Sequence, residues 1–160
     1  MEKIYIGKIV NTHGIKGEIR ILSDFEYKDK VFIVGNGIII DNKEYIIKSY
    51  RVHKNYDMVT LDDYNNINDV LFLMKKDVYF DKDKLILDDN EILDEDLVNY
   101  KVKTIDNKEG TIKEIFMASE TNKILRIMLD KEVLVPINSN MIKKIDKNNK
   151  EIIIELIDGM

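Results

Sequence analysis

The sequence predicts a mainly β protein, two small antiparallel β-barrels joined by a short acidic linker. Three observations predict it. Apolar residues fall in short runs rich in Ile, Val and Tyr that end at Gly, Asn or Asp, the pattern of brief strands separated by turns. A single proline leaves those runs uninterrupted. An acidic stretch holding Asp88, Asp89, Glu91, Asp94, Glu95 and Asp96, with no base among them, divides the pattern into two sets.

In the first set, strands are expected at Ile4–Val10, Glu18–Leu22, Val31–Val34, Gly37–Ile40, Glu44–Val52 and Met58–Leu61. Asn11-Thr12-His13-Gly14 and Lys16-Gly17 interrupt the opening strand before strict alternation resumes at Glu18-Ile19-Arg20-Ile21. Two glycines three residues apart let the backbone reach positive φ twice, so the connection turns sharply and re-enters the sheet with Thr12, His13 and Lys16 held at its tip. Gly35-Asn36-Gly37 and Asp41-Asn42-Lys43 are further turns. A short helix is expected over Ile67–Met74, where Asn66 or Asn68 caps and Ile67, Val70, Leu71 and Met74 share a face. Asp77–Phe80 closes the set. Closure into a barrel over residues 1–83 removes exposed edges.

Residues 84–93 read as the acidic linker and residues 94–160 as a second barrel or curled sheet. Its expected strands are Lys101–Thr104, Gly110–Met117, Ile124–Leu129, Glu132–Pro136 and Glu151–Ile157, with a capped helical turn over Ser139–Lys144. Pro136 suits a strand end or an edge. Each half sits near the lower size limit for an independent core.

Composition excludes several classes. No apolar run approaches the roughly 20 residues that span a bilayer, and Met1-Glu2-Lys3-Ile4-Tyr5 lacks the apolar region of a secretory signal. Zero cysteines remove disulfide and thiolate chemistry, and a cytoplasmic location follows as the expectation. A net charge of −5 disfavours a protein whose main affinity is for phosphate backbones. The charge is uneven: residues 1–83 carry 13 basic and 14 acidic side chains, residues 84–160 carry 12 and 16. The acidic run is read either as a solvated linker or as a field that attracts a basic partner.

Catalytic signatures are lacking. His13 and His53 have no metal-spaced neighbour, and no nucleophile elbow, Walker loop or dinucleotide fingerprint occurs. Gly14-Ile15-Lys16-Gly17 lies between strands and is too short for a phosphate loop. His13 beside Glu18 reads as turn structure ahead of an acid–base pair, and the acidic run lacks calcium-loop spacing. The expectation is a non-enzyme without cofactor or metal. Tyr45, Tyr50, Tyr56 and Tyr64 read as barrel packing, with base stacking as the alternative.

The opening IGKIVNTHGIKGEIRILSDF resembles the start of the RimM family of bacterial ribosome maturation factors, through Gly7, His13, Gly14, Ile15, Gly17, Glu18, Asp24 and Phe25. The similarity continues through Arg51-Val52-His53-Lys54 and Ile67 to Val78. The second half looks like a PRC-barrel domain, with Asp96-Leu97-Val98 opening it, Gly110 in its first hairpin and Val133-Leu134-Val135-Pro136 before the last turn. The ending Ile153 to Met160 is similar to the family's terminal strand and acidic-Gly-Leu/Met signature. The resemblance implies a monomeric assembly factor of the 30S subunit that binds ribosomal small-subunit protein nineteen through the PRC-barrel half. It also implies action on the immature subunit, promoting head maturation and 16S rRNA processing. A barrel that acts directly on rRNA or tRNA is the alternative.

One departure stands out. Where the family has a Tyr-Tyr pair before its Asp-Leu-Ile-Gly opening, this chain has Ile92 and Leu93, and Val98-Asn99 replace Ile-Gly. Candidate partner-binding residues are Ile92, Leu93, Asp94, Asp96, Asn122, Lys123 and Pro136. Thr12, His13, Gly14, Lys16 and Gly17 form a turn motif expected to hold shape or to touch RNA or a partner.

Overall fold

The computed structural model describes residues 2–89 and 91–157. The chain divides into two units, Met1–Ile86 and Leu87–Met160. Asp158-Gly159-Met160 of the expected terminal signature lies outside the described residues.

The first unit is a closed barrel of six strands: β1 (Lys3–His13), β2 (Glu18–Leu22), β3 (Gly37–Ile40), β4 (Lys43–His53), β5 (Tyr56–Leu61) and β6 (Asp77–Asp81). Their order around the barrel is β1-β2-β5-β4-β3-β6, and β6 returns to pair antiparallel with β1. Alternation sends Ile19 and Ile21 of β2 and Val59 and Leu61 of β5 inward, all at 0% exposure. Bulges at Tyr5/Gly7, Ile9/Asn11 and Ile47/Ser49 bend the long strands β1 and β4 enough to close the ring.

β1 runs past the expected break at Asn11 to His13, because Asn11, Thr12 and His13 pair with Arg20, Ile19 and Glu18. The segment Val31–Val34, expected as a strand, is instead the end of α1 (Lys28–Val31) and a turn. Phe32 donates its backbone N–H to the Lys28 carbonyl and stacks on Tyr50 at 5.7 Å, so it buries against a ring instead of joining a ladder. The expected short helix forms as α2 (Ile67–Val70) and a 3-10 turn, Leu71–Leu73. Asn66 is the cap: its side chain accepts from the Asn68 N–H while Asp69 accepts from the Asn66 N–H.

The second unit opens with α3 (Asp94–Leu97) and continues as β7 (Lys101–Thr104), β8 (Glu109–Met117), β9 (Lys123–Met128), β10 (Glu132–Pro136), β11 (Ile142–Asp146) and β12 (Glu151–Ile154). They form one sheet in the order β10-β9-β8-β7-β12-β11. All neighbours are antiparallel except β7 and β12, which run parallel with Val102 opposite Ile152, a departure from the expected all-antiparallel arrangement. This pairing joins the first and last strands of the unit, so a hairpin cannot supply it. Its core holds Leu97, Val102, Leu125, Ile127, Val135, Ile152 and Ile154.

The expected helical turn over Ser139–Lys144 is corrected to a turn followed by β11. Ser139 Oγ donates to the Pro136 carbonyl and accepts from the Met141 N–H, and Ile142 then pairs with Ile154. Pro136 ends β10 at the sheet edge, with the Ile137 N–H returning to the Lys123 carbonyl, so the missing proline donor costs no ladder bond.

Candidate functional site

Four neighbouring strands of the barrel, β1-β2-β5-β4, present one polar outer face. Because Ile19 and Ile21 point inward, Glu18 and Arg20 of β2 must point outward. The same parity places Tyr56, Met58 and Thr60 of β5 outside, and their β4 partners His53, Arg51 and Ser49 beside them. His13 at the end of β1 pairs with Glu18. The face thus gathers two of the chain's three arginines and both of its histidines, in a sequence that overwhelmingly uses lysine for positive charge.

The contacts form one connected cluster. Arg51 grips Glu18 in a bidentate pair, Nε to Oε2 at 2.9 Å and Nη2 to Oε1 at 2.7 Å. Arg20 Nη2 lies 3.3 Å from His13 Nδ1, and its guanidinium sits over the Tyr56 ring at 5.1 Å. The His13 and His53 rings are 5.5 Å apart. Met58, the cross-strand partner of both Arg20 and Arg51, is 0% exposed, as two guanidinium stems laid across it would leave it. A cleft of about 410 Å³ opens beside the cluster, lined by His13, Lys16, Glu18, Ser49 and Thr60.

The charges are unequally spent. Glu18 neutralises Arg51, and the hydrogen bond from Arg51 holds its carboxyl below the usual range against an opposing desolvation. Arg20 has no carboxylate partner among the described residues, and its Nε is buried without an acceptor. Lys16 and Lys54, at the tips of the two hairpins, likewise have no acidic partner among those residues. Burial, then the charges of Arg51, Lys54, His13 and Arg20, push the His53 imidazole below its ordinary value.

The turn that carries Lys16 is built as the sequence indicates. Gly14 has φ +70° and Gly17 φ +84°. A Cβ at Gly17 would stand 2.7 Å from the Tyr64 carbonyl oxygen, whereas one at Gly14 would meet nothing within 4 Å. The Ile67 N–H donates to the Ile15 carbonyl, which ties the turn to α2. The opposite hairpin turns at Lys54 and Asn55, both at positive φ. Thr12 and His13 are half-buried on β1, and Lys16 is exposed.

In the second unit, Ile92 and Leu93 are 7% and 5% exposed, so they pack inward in a region the sequence reads as linker. Lys147 Nζ donates to the Asp88 carbonyl, which ties the acidic run to this unit. Asp94 and Lys123, 29 residues apart, pair at 2.7 Å. Asp96 is half-buried in α3, and Asn122 accepts from the Ala118 N–H in the β8–β9 turn. Sequence reasoning names both partners of the Asp94–Lys123 pair without joining them. It misses Arg20, Arg51, His53 and Tyr56 as companions of His13. The readable signal was the scarcity of arginine and histidine and their outward parity on expected strands.

The RimM N-terminal domain family matches residues 4–85 and the PRC-barrel domain family residues 89–160. Ribosome maturation factors RimM from two Staphylococcus aureus strains, MRSA252 and JH9, are each 35% identical to this chain over 99% of it and 98% of their own length. Among solved structures, a Pseudomonas aeruginosa protein described as a 16S ribosomal RNA processing protein RimM is 17% identical, covers 98% of both chains and has a TM-score of 0.49. The N-terminal domain of RimM from Thermus thermophilus is 16% identical over 54% of this chain and 98% of its own, with a TM-score of 0.46.

Proposed function

The chain belongs to the RimM family of ribosome maturation factors, and from that premise we propose that it assists assembly of the small ribosomal subunit by binding, without catalysis. In this reading it acts in the cytoplasm as a monomer. It holds ribosomal small-subunit protein nineteen on the immature 30S subunit, promotes maturation of the head and aids processing of 16S rRNA. The full-length match to named maturation factors across both domains is the observation that carries it.

The second unit is the proposed seat of protein capture. Its acids concentrate at the start: Asp94, Glu95 and Asp96 form the first turn of α3, close in sequence to Asp88, Asp89 and Glu91. A concentrated negative field speeds the encounter with a cationic ribosomal protein more than it holds the final complex. Asp94, Asp96, Asn122, Lys123 and Pro136 are proposed contacts. Ile92 and Leu93 support that surface from beneath.

The test is association of the full chain with purified small-subunit protein nineteen, followed at several salt concentrations. Neutralising Glu95 and Asp96 as E95Q/D96N is expected to slow association and to weaken its salt dependence, with dissociation nearly unchanged. A wild-type chain that fails to bind protein nineteen would overturn the reading, and an unchanged association rate would remove the steering role of the acids.

A further inference from the structure

We infer that the outer face of β1-β2-β5-β4 is a single-stranded RNA site, in which Arg20, Lys16 and Lys54 take backbone phosphates and the Tyr56 and His53 rings lie against a base.

The argument starts from what the face lacks. A structural guanidinium normally ends on a carboxylate or a carbonyl. Arg51 does so on Glu18, but Arg20, two strands away across β5, faces an imidazole and a phenol ring with its Nε buried and unsatisfied. Nε itself is closed to solvent, but Arg20 as a whole is only half-buried, so a phosphate oxygen meets the terminal nitrogens of this carboxylate-free guanidinium in a charge-assisted bond. Lys16 and Lys54 add unpaired positive charge at the two opposite ends of the face, with Arg20 on the strand between them, and both turns are conformationally defined by positive-φ residues. Three cations in a chain of net charge −5 thus make a local site against the overall field.

The rings select RNA over another polyanion. His53 and Tyr56 are cross-strand partners, His13 stands against His53, and the Arg20 guanidinium lies over the Tyr56 ring. Arginine planes and aromatic rings side by side are what splayed single-stranded bases stack on. A metal reading fails, since Glu18 is committed to Arg51 and no group of three ligating side chains occurs among the described residues. The inference rests on the family reading only in that it places RNA within reach of this chain.

The experiment is fluorescence anisotropy of a labelled single-stranded RNA dodecamer with the full chain, at about 50 and about 200 mM KCl. Three contacts on a single strand contribute roughly −2 to the slope of log K against log salt, so that rise in salt costs about 20-fold through these cations alone. The K16Q/K54Q variant, altered only at exposed turn tips, is expected to bind more weakly with a slope shallower by about 1.4. Y56L is expected to lose about fivefold or more at either salt, with its slope unchanged. Polyglutamate of matched charge is expected to compete poorly.

Wild-type chain without measurable RNA binding overturns the inference. So does a K16Q/K54Q variant with the wild-type slope, or a Y56L variant of wild-type affinity together with equal competition by polyglutamate. Capture of protein nineteen, measured on the same samples, separates this inference from the assembly reading: a lost RNA response with retained capture affects this site alone.

Discussion

Replacing Gly17 and Gly14 separately by alanine tests the turn from two sides. Both residues sit at positive φ, +84° and +70°, where an L side chain costs about 1–2 kcal/mol. At Gly14 nothing else is met within 4 Å, so G14A should lose only that amount. At Gly17 the new methyl would stand 2.7 Å from the Tyr64 oxygen and 3.1 Å from the Asn66 oxygen. Both obstacles are backbone and neither can rotate away, so the chain between β5 and α2 must shift at a further cost of about 1–3 kcal/mol. G17A should therefore lose about 2–5 kcal/mol in total. For a unit of this size each kcal/mol lowers the melting midpoint by about 4–8 °C. Urea unfolding followed by circular dichroism gives the midpoints, and hydrogen exchange at the Ile19 and Ile21 amides assigns the loss to the barrel. Equal losses for the two variants would refute the close approach as the reason for glycine at position 17.

Two further outcomes concern ionisation. Burial, with the hydrogen bond from Tyr50 Oη to Asp57 Oδ1 at 2.6 Å, pushes the Tyr50 phenol well above the ordinary tyrosine range. A raised folded value means its contribution to stability is complete below about pH 10 and is lost as pH rises beyond that. The wild-type minus Y50F absorbance difference at the tyrosinate band should stay flat through about pH 11, and an inflection near pH 10 would contradict the burial. For Glu18, held low by Arg51, the contribution is present above its usual carboxylate value and fades as pH falls through the lowered one. R51Q should abolish that part of the acid limb, read as a smaller gap between its melting midpoints at about pH 6 and about pH 3 than in the wild type.

Much of the fold was legible because local chemistry and tertiary need agree there. The alternation Glu18-Ile19-Arg20-Ile21 can only be a half-buried strand, and β2 is one. Gly14 and Gly17 stand at positive φ, as the sequence requires of a tip between two strands. Where local signals misled, packing decided. Val31–Val34 has strand composition, yet Phe32 finds a ring to stack on and no strand to pair with. Ser139–Lys144 has a capping serine, yet Ile142 finds Ile154. Ile92 and Leu93 follow acidic residues as a linker would, and still bury.

Sequence alone determined the β character and the glycine turn, because period-two burial and positive φ are properties of neighbouring residues. Only the tertiary structure decided that His13, Arg20, Arg51, His53 and Tyr56 share one face, that β7 and β12 run parallel, and that Asp94 meets Lys123. Those are meetings between residues far apart in the chain, set by strand order and bulge position. No local pattern encodes either.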